Sequence, residues 1–244
     1  MFNKVACASV LFLWAVMQPS AVNAQEGKIH ALLVGVTNYP ALNLSQQLDG
    51  PINDVEMMRE TLIQKFRSKD SDLKNSIVSL HEAQPKELRP TYKNIEREFA
   101  TIANRAVEGD QVFILLSGHG SQDLDDADDS SDDYETDGLD EVFLPRDVIG
   151  WNEEKHLVEG AIRDDKINEW LNAIQAKGAT VVFVSDSCHS NTQTRGGENE
   201  AIKSRRVDLV PKHILDKRVV RRSRGTATET VSYTHLTLPT NREV

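Results

Sequence analysis

A cysteine and a histidine, far apart in the sequence, are the residues best suited to chemistry. Cys188 closely follows the apolar run in VVFVSDSCHS, and His119 lies between two glycines in ILLSGHGSQ. A thiol near its ordinary pKa of about 8.5 is mostly protonated at neutral pH, so a cysteine nucleophile needs an imidazole or another cation beside it. His119 can take that proton and later donate it to a leaving amine. The pair therefore indicates hydrolysis through an acyl-enzyme.

Each residue of this pair also has an ordinary structural explanation. A cysteine at the end of an apolar strand is usually a packing residue, and a histidine between glycines is often only part of a turn. Placement of both residues at one edge of the sheet favours the catalytic interpretation. The amides of Gly120 and Cys188 are then the predicted hydrogen-bond donors to an oxyanion. His189 alternates to the other side of an extended strand and is given a structural role. His30 and His81 are interpreted as core or edge residues.

The elements that must position the pair are short apolar runs alternating with amphipathic helical patterns. The runs are predicted as buried strands at residues 29–36, 76–80, 111–117 and 180–185. Helices are predicted at residues 54–66, 91–106 and 164–176, with Thr91 as the cap of the second. This alternation predicts an α/β fold with a mostly parallel sheet, in which ligands bind beyond the carboxyl ends of the strands. His119 and Cys188 follow the third and fourth runs, so both are expected at that edge.

The first 24 residues have the pattern of a secretory signal peptide. Lys4 lies in a short basic start, an apolar stretch follows at residues 5–17, and Ala24 ends a small-residue cleavage site. The apolar stretch is shorter than the roughly 20 residues that span a bilayer as a helix. We therefore expect export to the periplasm or the medium, without a membrane span. Cys7 leaves with this peptide, so Cys188 has no disulfide partner and is either buried and inert or retained for chemistry.

The mature chain is expected to form one catalytic domain at residues 25–200 and a basic, flexible tail at residues 201–244. The net charge of −10 is unevenly distributed along it. The acidic stretch, residues 123–141, contains no base, whereas residues 203–224 are strongly basic. This pattern predicts a polyanionic loop and an exposed basic segment, and it is not that of a nucleic-acid-binding fold. The acidic stretch either binds calcium or is a solvated loop beside the site; its spacing does not fit an EF-hand.

Six motifs together resemble the caspase-like cysteine peptidases (peptidase C14), and within them the metacaspases and their bacterial relatives. In chain order they are ALLVGVTNY, LDGPINDVEMM, ILLSGHGSQ, DGLDEVFLPRD, IRDDKINEWL and VVFVSDSCHS. The resemblance covers about residues 28–190. It implies a caspase-hemoglobinase fold and a cysteine endopeptidase, with Cys188 as nucleophile and His119 as general base and acid. No cofactor is implied for the chemistry itself.

The resemblance also implies a substrate class. Metacaspases cleave after arginine or lysine, and the residues that match their acidic pocket are Asp54, Ser117 and Asp186. Two carboxylates near the cysteine would hold a guanidinium through charge-assisted, partly bidentate contacts. Asp54 has an alternative role as a helix N-terminal carboxylate favoured by the helix dipole. Pro51 replaces a cysteine that many metacaspases carry, which reshapes the pocket wall at most.

Calcium remains open as a cofactor. Many metacaspases depend on it, and the acids that match part of their site are Asp164 and Asp165. Another ligand in the characterised type is an acid shortly after the cysteine, where this chain has Arg195 instead. Calcium binding and a calcium-independent enzyme are both compatible with this pattern.

The sequence departs from the family after the cysteine. No convincing pair of strands follows, so we expect the domain to be truncated there and the end, from about Val231, to be non-native. The basic tail is an attractive target for an enzyme that cleaves after arginine, and self-cleavage is expected after Arg206, Arg222 or Arg224. Two alternatives stay open: a gingipain or clostripain type of peptidase, and a non-catalytic caspase-like module that acts by binding.

Overall fold

The computed structural model describes residues 27–67, 73–124, 138–187 and 205–215. The strands are β1 (Ile29–Gly35), β2 (Ile77–Leu80), β3 (Gln111–Ser117), β4 (Gly120–Leu124), β5 (Leu139–Phe143), β6 (Gly150–Asn152), β7 (Leu157–Glu159), β8 (Ile162–Arg163) and β9 (Thr180–Asp186). The α-helices are α1 (Pro51–Phe66), α2 (Leu73–Ser76), α3 (Tyr92–Arg105) and α4 (Asp164–Gln175). Each of the four predicted strands lies within one residue of its predicted ends. In the described part of the chain, no helix combines the length and the apolar character needed to cross a membrane.

Within the described ranges, four strands form the central sheet in the order β2-β1-β3-β9, and every pair is parallel. β1 is buried along its whole length because its alternate side chains pack against different helices. Leu32 and Val34 belong to the core cluster that includes residues of α3 and α4, whereas Ala31 and Leu33 pack with residues of α1. A strand that is covered on both faces has a continuous run of apolar residues in its sequence. The prediction of a parallel sheet flanked by helices is confirmed, and the third and fourth runs are neighbours in it.

The helix before the site begins earlier than predicted. α1 starts at Pro51 instead of Asp54, because proline is well suited to the first helical position, where no backbone donor is needed. Its start packs directly on β1: a Cβ at Gly35 would lie 2.6 Å from the carbonyl oxygen of Pro51. The predicted cap of α3 is confirmed, since the Thr91 hydroxyl accepts a hydrogen bond from the Asn94 amide at 3.3 Å.

The two ends of the acidic stretch are strands, which corrects the prediction of a loop throughout. Asp123 in β4 lies opposite Asp140 in β5, and Arg163 in β8 contacts both carboxylates, at 3.5 and 3.2 Å. Asp123 also accepts hydrogen bonds from the amides of Val158 and Leu124, at 2.9 and 2.8 Å. Burial raises the pKa of Asp123, and these hydrogen bonds oppose that shift. These acids therefore serve the small antiparallel sheet of β4, β5 and β8, while residues 125–137 lie outside the described residues.

β9 forms one edge of the four described strands of the central sheet. Its apolar side chains are partly exposed: Val182 by 43%, Phe183 by 38% and Val184 by 38%. An edge strand with apolar side chains presents backbone groups and surface that a further chain segment can pair with. Whether the domain is truncated after this strand stays a prediction.

The described part of the basic tail, residues 205–215, packs on the domain. Val207 and Val210 are buried in the main core cluster. Arg206 forms a parallel β-bridge with Gly120 at the start of β4. This part of the tail, predicted as exposed, is thus held beside the end of β3.

Candidate active site

His119 is a buried imidazole, 1% exposed, located just beyond the end of β3. Its Nε2 lies 2.6 Å from the carbonyl oxygen of Gln46. A carbonyl oxygen only accepts, so Nε2 carries the proton and Nδ1 carries the lone pair. Nδ1 is buried and has no hydrogen-bond partner among the described residues. The ring is therefore fixed in the tautomer and orientation that a general base needs.

The backbone of His119 is held on both sides. Its amide donates to the Tyr39 hydroxyl at 2.7 Å, and its carbonyl oxygen accepts from the Leu144 amide at 3.0 Å. The Tyr39 ring also packs against the imidazole, with 4.9 Å between centroids. This packing explains the preceding glycine: a Cβ at Gly118 would lie 2.7 Å from the Tyr39 hydroxyl and 3.2 Å from the Phe143 ring.

The loop that carries Gln46 is closed by the side chain of Gln47. Its Oε1 accepts from the Tyr39 amide at 2.6 Å, and its Nε2 donates to the carbonyl oxygens of Tyr39, Leu42 and Asn43 at 3.0, 3.3 and 3.1 Å. The sequence analysis assigned no role to Tyr39, Gln46 or Gln47. Gln46 contacts His119 through its backbone carbonyl, so its residue type could not have indicated this role in the sequence.

Burial lowers the pKa of His119 below its ordinary value of 6.5, because a charged imidazole loses solvation there. The hydrogen bond to the Gln46 carbonyl favours the protonated ring and opposes this shift. Because the net shift of the pKa is downward, it favours the neutral imidazole, which is the state that can accept a proton.

Asp54, Ser117 and Asp186 converge at the carboxyl end of the sheet, and we call them the acidic pocket. Ser117 and Asp186 lie opposite each other as the last residues of β3 and β9. The Ser117 hydroxyl donates to Oδ2 of Asp54 at 2.8 Å. Asp54 lies in the first turn of α1, so its carboxylate both faces the pocket and lies near the positive end of the helix dipole.

A guanidinium from the basic tail occupies the acidic pocket. Nη1 of Arg205 lies 2.7 Å from Oδ2 of Asp186 and donates to the Ser117 hydroxyl at 2.7 Å. Nη2 of Arg205 donates to Oδ2 of Asp54 at 2.7 Å. Nη1 also donates to the carbonyl oxygen of Asp186 at 2.8 Å. Two carboxylates and a hydroxyl thus bind one arginine side chain.

The amide of Gly120, a predicted oxyanion donor, bonds to the same tail residue. It donates to the carbonyl oxygen of Arg205 at 2.8 Å, and the carbonyl oxygen of Gly120 accepts from the Val207 amide at 3.0 Å. Cys188 and His189 lie outside the described residues, immediately after Ser187. The roles assigned to the cysteine and to its amide therefore stay predictions.

The sequence profile of the metacaspase peptidase C14 domain matches residues 29–195, which is more than half of the chain. The chain belongs to the metacaspase family. The profile spans the strands and helices that carry His119 and the acidic pocket.

Curated metacaspases from distant organisms match the same region. Metacaspase-1 of Plasmodium falciparum is 32% identical over 189 residues, which cover 76% of this chain and 28% of that protein. Metacaspase-1 of Schizosaccharomyces pombe is 33% identical over 165 residues, covering 68% and 34%, and Metacaspase-7 of Arabidopsis thaliana is 30% identical over 160 residues, covering 66% and 34%. The chain thus spans about a third of the length of the curated relatives it matches.

A crystal structure of a protein from Geobacter sulfurreducens has a similar fold. The TM-score is 0.51 at 21% identity, and the match covers 81% of this chain and 63% of that one. This similarity supports the fold class of the metacaspase domain and carries no functional conclusion.

The metal ligands that the resemblance implies are only partly within the described residues. Asp164 and Asp165 form the first turn of α4. The described ranges contain no group of three or more His, Cys, Asp or Glu side chains arranged to hold a metal ion. Calcium takes six to eight oxygen ligands, so the described residues by themselves do not fit it. Calcium binding stays a prediction that involves residues outside the described ranges.

Proposed function

We propose that this metacaspase domain is a cysteine endopeptidase that cleaves peptide bonds after arginine or lysine, with Cys188 and His119 as its catalytic pair. One observation carries the substrate class: the acidic pocket binds the guanidinium of Arg205 with three side chains. The pocket therefore has the charge, the size and the hydrogen-bond acceptors for arginine in the position next to His119.

The proposed chemistry starts with a proton transfer from the Cys188 thiol to Nδ1 of His119. The thiolate attacks the carbonyl carbon of the substrate, and the amides of Gly120 and Cys188 stabilise the oxyanion. The carbon–nitrogen bond breaks as Nδ1 donates its proton to the leaving amine. Water then attacks the acyl-enzyme, with Nδ1 taking its proton, and releases the new carboxylate and the free thiol. Throughout, the Gln46 carbonyl holds Nε2 and stabilises the transient positive charge of the ring.

The geometry of the pocket favours arginine over lysine. Asp186 and Asp54 accept from different nitrogens of the Arg205 guanidinium, Nη1 and Nη2. An ammonium group is a compact charge without that planar fork, so lysine reaches both carboxylates less well. We expect arginine peptides to be cleaved faster than lysine peptides, and aspartate peptides to be repelled.

The remaining parts of the proposal rest on sequence patterns. The signal-peptide pattern at residues 1–24 supports export, and an amino terminus at Gln25 in secreted material would test it. The acidic stretch and the Asp164 and Asp165 pair support a calcium requirement. Protein or peptide substrates with arginine or lysine before the scissile bond are the proposed partners, and the chain's own basic tail is among them.

The decisive experiment measures turnover of paired fluorogenic peptides that end in arginine or in aspartate. The chain and its Cys188→Ala variant are compared with and without millimolar calcium, the range in which weak calcium sites fill. We expect cleavage of the arginine peptide alone, lost in the variant. Activity that survives Cys188→Ala, or a preference for aspartate, contradicts the proposal. If neither peptide is cleaved, the result favours the alternative of a non-catalytic module that acts by binding.

A further inference from the structure

The loop that surrounds His119 is itself held by a carboxylate from beyond a different strand. This loop, residues 37–48, follows β1 and is called the base loop, because its Tyr39 hydroxyl and Gln46 carbonyl both contact His119. We propose that Glu82, which lies just beyond the end of β2, is the positioning residue that holds the base loop against His119. The inference rests on the proposed function, in which His119 is the general base, and adds a residue that the sequence analysis did not single out.

The carboxylate of Glu82 binds the first two residues of the base loop with both of its oxygens. Oε1 accepts hydrogen bonds from the amides of Thr37 and Asn38, at 3.2 and 3.1 Å. Oε2 accepts from the Thr37 hydroxyl at 2.8 Å and shares the Thr37 amide at 3.2 Å. Successive backbone amides that converge on one anion form a binding concavity, and hydrogen bonds to an ionised acceptor are stronger than neutral ones. Glu82 therefore fixes the direction in which the chain leaves β1.

The base loop is closed at the residue that Glu82 holds. The Leu48 amide donates to the Thr37 carbonyl oxygen at 2.9 Å, so the two ends of the loop meet at Thr37. Just before it, the Val36 amide donates to the Ser117 carbonyl oxygen at 2.9 Å, which joins the start of the loop to the end of β3. With Glu82, these bonds connect the carboxyl ends of three neighbouring strands, β1, β2 and β3.

The loop transmits this constraint to His119 through two contacts. The Tyr39 hydroxyl accepts from the His119 amide at 2.7 Å, and the Gln46 carbonyl oxygen lies 2.6 Å from Nε2. Gln47 joins the two halves of the loop, because its side chain bonds to the backbone of both Tyr39 and Asn43. A displacement at the start of the loop therefore reaches the backbone and the ring of His119 together.

The geometry of the Glu82 side chain, and not its charge, is the property that positions the loop. The donors that its carboxylate binds are neutral: two amides and a hydroxyl. Glutamine in its place keeps a carbonyl oxygen for the two amides, and its NH₂ group can donate to the Thr37 hydroxyl, which also accepts. Alanine removes all of these contacts. Comparison of Glu82→Gln with Glu82→Ala therefore separates the path of the loop from the charge of the carboxylate.

The first test measures kcat and KM for an arginine peptide. Glu82→Ala should lower kcat about 10- to 100-fold through misplacement of the base, and it should change KM by less than about 2-fold, because the acidic pocket lies outside the loop. Glu82→Gln should keep kcat within about 3-fold of the parent chain. Glu87→Ala removes an exposed carboxylate nearby and should leave both constants unchanged. An unchanged kcat in Glu82→Ala, a change confined to KM, or an equal loss in Glu82→Gln overturns the inference.

A general loss of stability is distinguished by a substitution on another element. Thr91→Ala removes the cap of α3, whose hydroxyl accepts from the Asn94 amide, and should lower Tm by about 2–4 °C. It should leave kcat unchanged when the assay is run well below Tm, because α3 carries no contact to His119 that this change removes. A loss of kcat in Thr91→Ala as large as that in Glu82→Ala would show that Glu82 has only a structural role.

The last test observes the His119 ring without catalysis. In the Cys188→Ala background, proton–nitrogen NMR spectra report which ring nitrogen carries the proton, and His119→Gln identifies the signal. The proton should lie on Nε2 in this background and with Glu82→Gln added. Glu82→Ala should give a mixture of both tautomers and raise the pKa of His119 toward its ordinary value, because the ring gains solvent. An unchanged tautomer and pKa in folded Glu82→Ala overturns the inference.

A milder variant keeps this test decisive if Glu82→Ala does not fold. Thr37→Val removes only the hydroxyl contact to Glu82, at 2.8 Å, and should change the His119 signals in the same direction to a smaller extent. Unchanged signals in Thr37→Val then refute the role of Glu82. A preparation that turns over no arginine peptide contradicts the proposed function instead, and the NMR comparison still decides whether Glu82 positions the ring.

Discussion

Replacing Tyr39 by phenylalanine removes a single hydroxyl from the support of His119. That hydroxyl accepts the His119 amide at 2.7 Å, and Tyr39 is 0% exposed. The variant keeps the ring and its packing but leaves a buried amide without an acceptor. Such a loss costs about 1–3 kcal/mol. We therefore expect the free energy of unfolding to fall by about 2 kcal/mol, a decrease in Tm of about 4–8 °C for a domain of this size.

The assay is urea unfolding in the Cys188→Ala background, so that proteolysis does not distort the transition. The matched control is Tyr92→Phe, since Tyr92 is half-buried and its hydroxyl has no hydrogen bond to another described residue. Removing a hydroxyl that has no such hydrogen bond, with the ring kept in place, should shift the free energy of unfolding by less than about 0.5 kcal/mol. In the cysteine-containing chain, Tyr39→Phe should lower kcat more than it raises KM, because the base is misplaced while the pocket is intact. If Tyr39→Phe is as stable as the control, the hydrogen bond does not support His119 and this reasoning is refuted.

Three further predictions concern the pocket, the glycine before the base and the base itself. Asp54→Asn removes one of the two carboxylates of the pocket, where the Asp54 side chain is 25% exposed. We expect kcat/KM for arginine peptides to fall about 10-fold, which is the lower end of the range for charged hydrogen bonds. The control is Asp208→Asn, a change at an exposed residue, which should leave kcat/KM unchanged. Gly118→Ala places a methyl group 2.7 Å from the Tyr39 hydroxyl. Thermal unfolding should show that this overpacking lowers the free energy of unfolding by about 1–3 kcal/mol. An unchanged free energy of unfolding would mean that the loop relaxes to accept the methyl group. The lowered pKa of His119 means that the unfolded state binds its proton more readily, so the stability it contributes is fully present above pH 6.5 and is lost as the pH falls through the folded pKa. Urea unfolding between pH 7 and 5 should show this slope, reduced in His119→Gln; an unchanged slope would exclude His119 as its source.

The central elements were predictable from the sequence because their signals are local. Apolar runs and helical periodicity indicated all four strands of the parallel sheet and three of its helices. The carboxyl-end rule for parallel strands then brought Ser117 and Asp186 to the same edge, where they lie opposite each other. The strands at the ends of the acidic stretch were not predicted, because the buried Asp123 is paired with Arg163, a partly exposed residue that is distant in sequence.

Sequence by itself therefore determined the family, the order of the elements and the edge of the sheet where chemistry is expected. Only the tertiary structure decided what surrounds His119 and what fills the acidic pocket. The Gln46 carbonyl is 73 positions from His119, and Arg205 is 151 positions from Asp54. Contacts of this kind depend on loop paths and on backbone atoms, which leave no periodic pattern and no residue-type signature in the sequence.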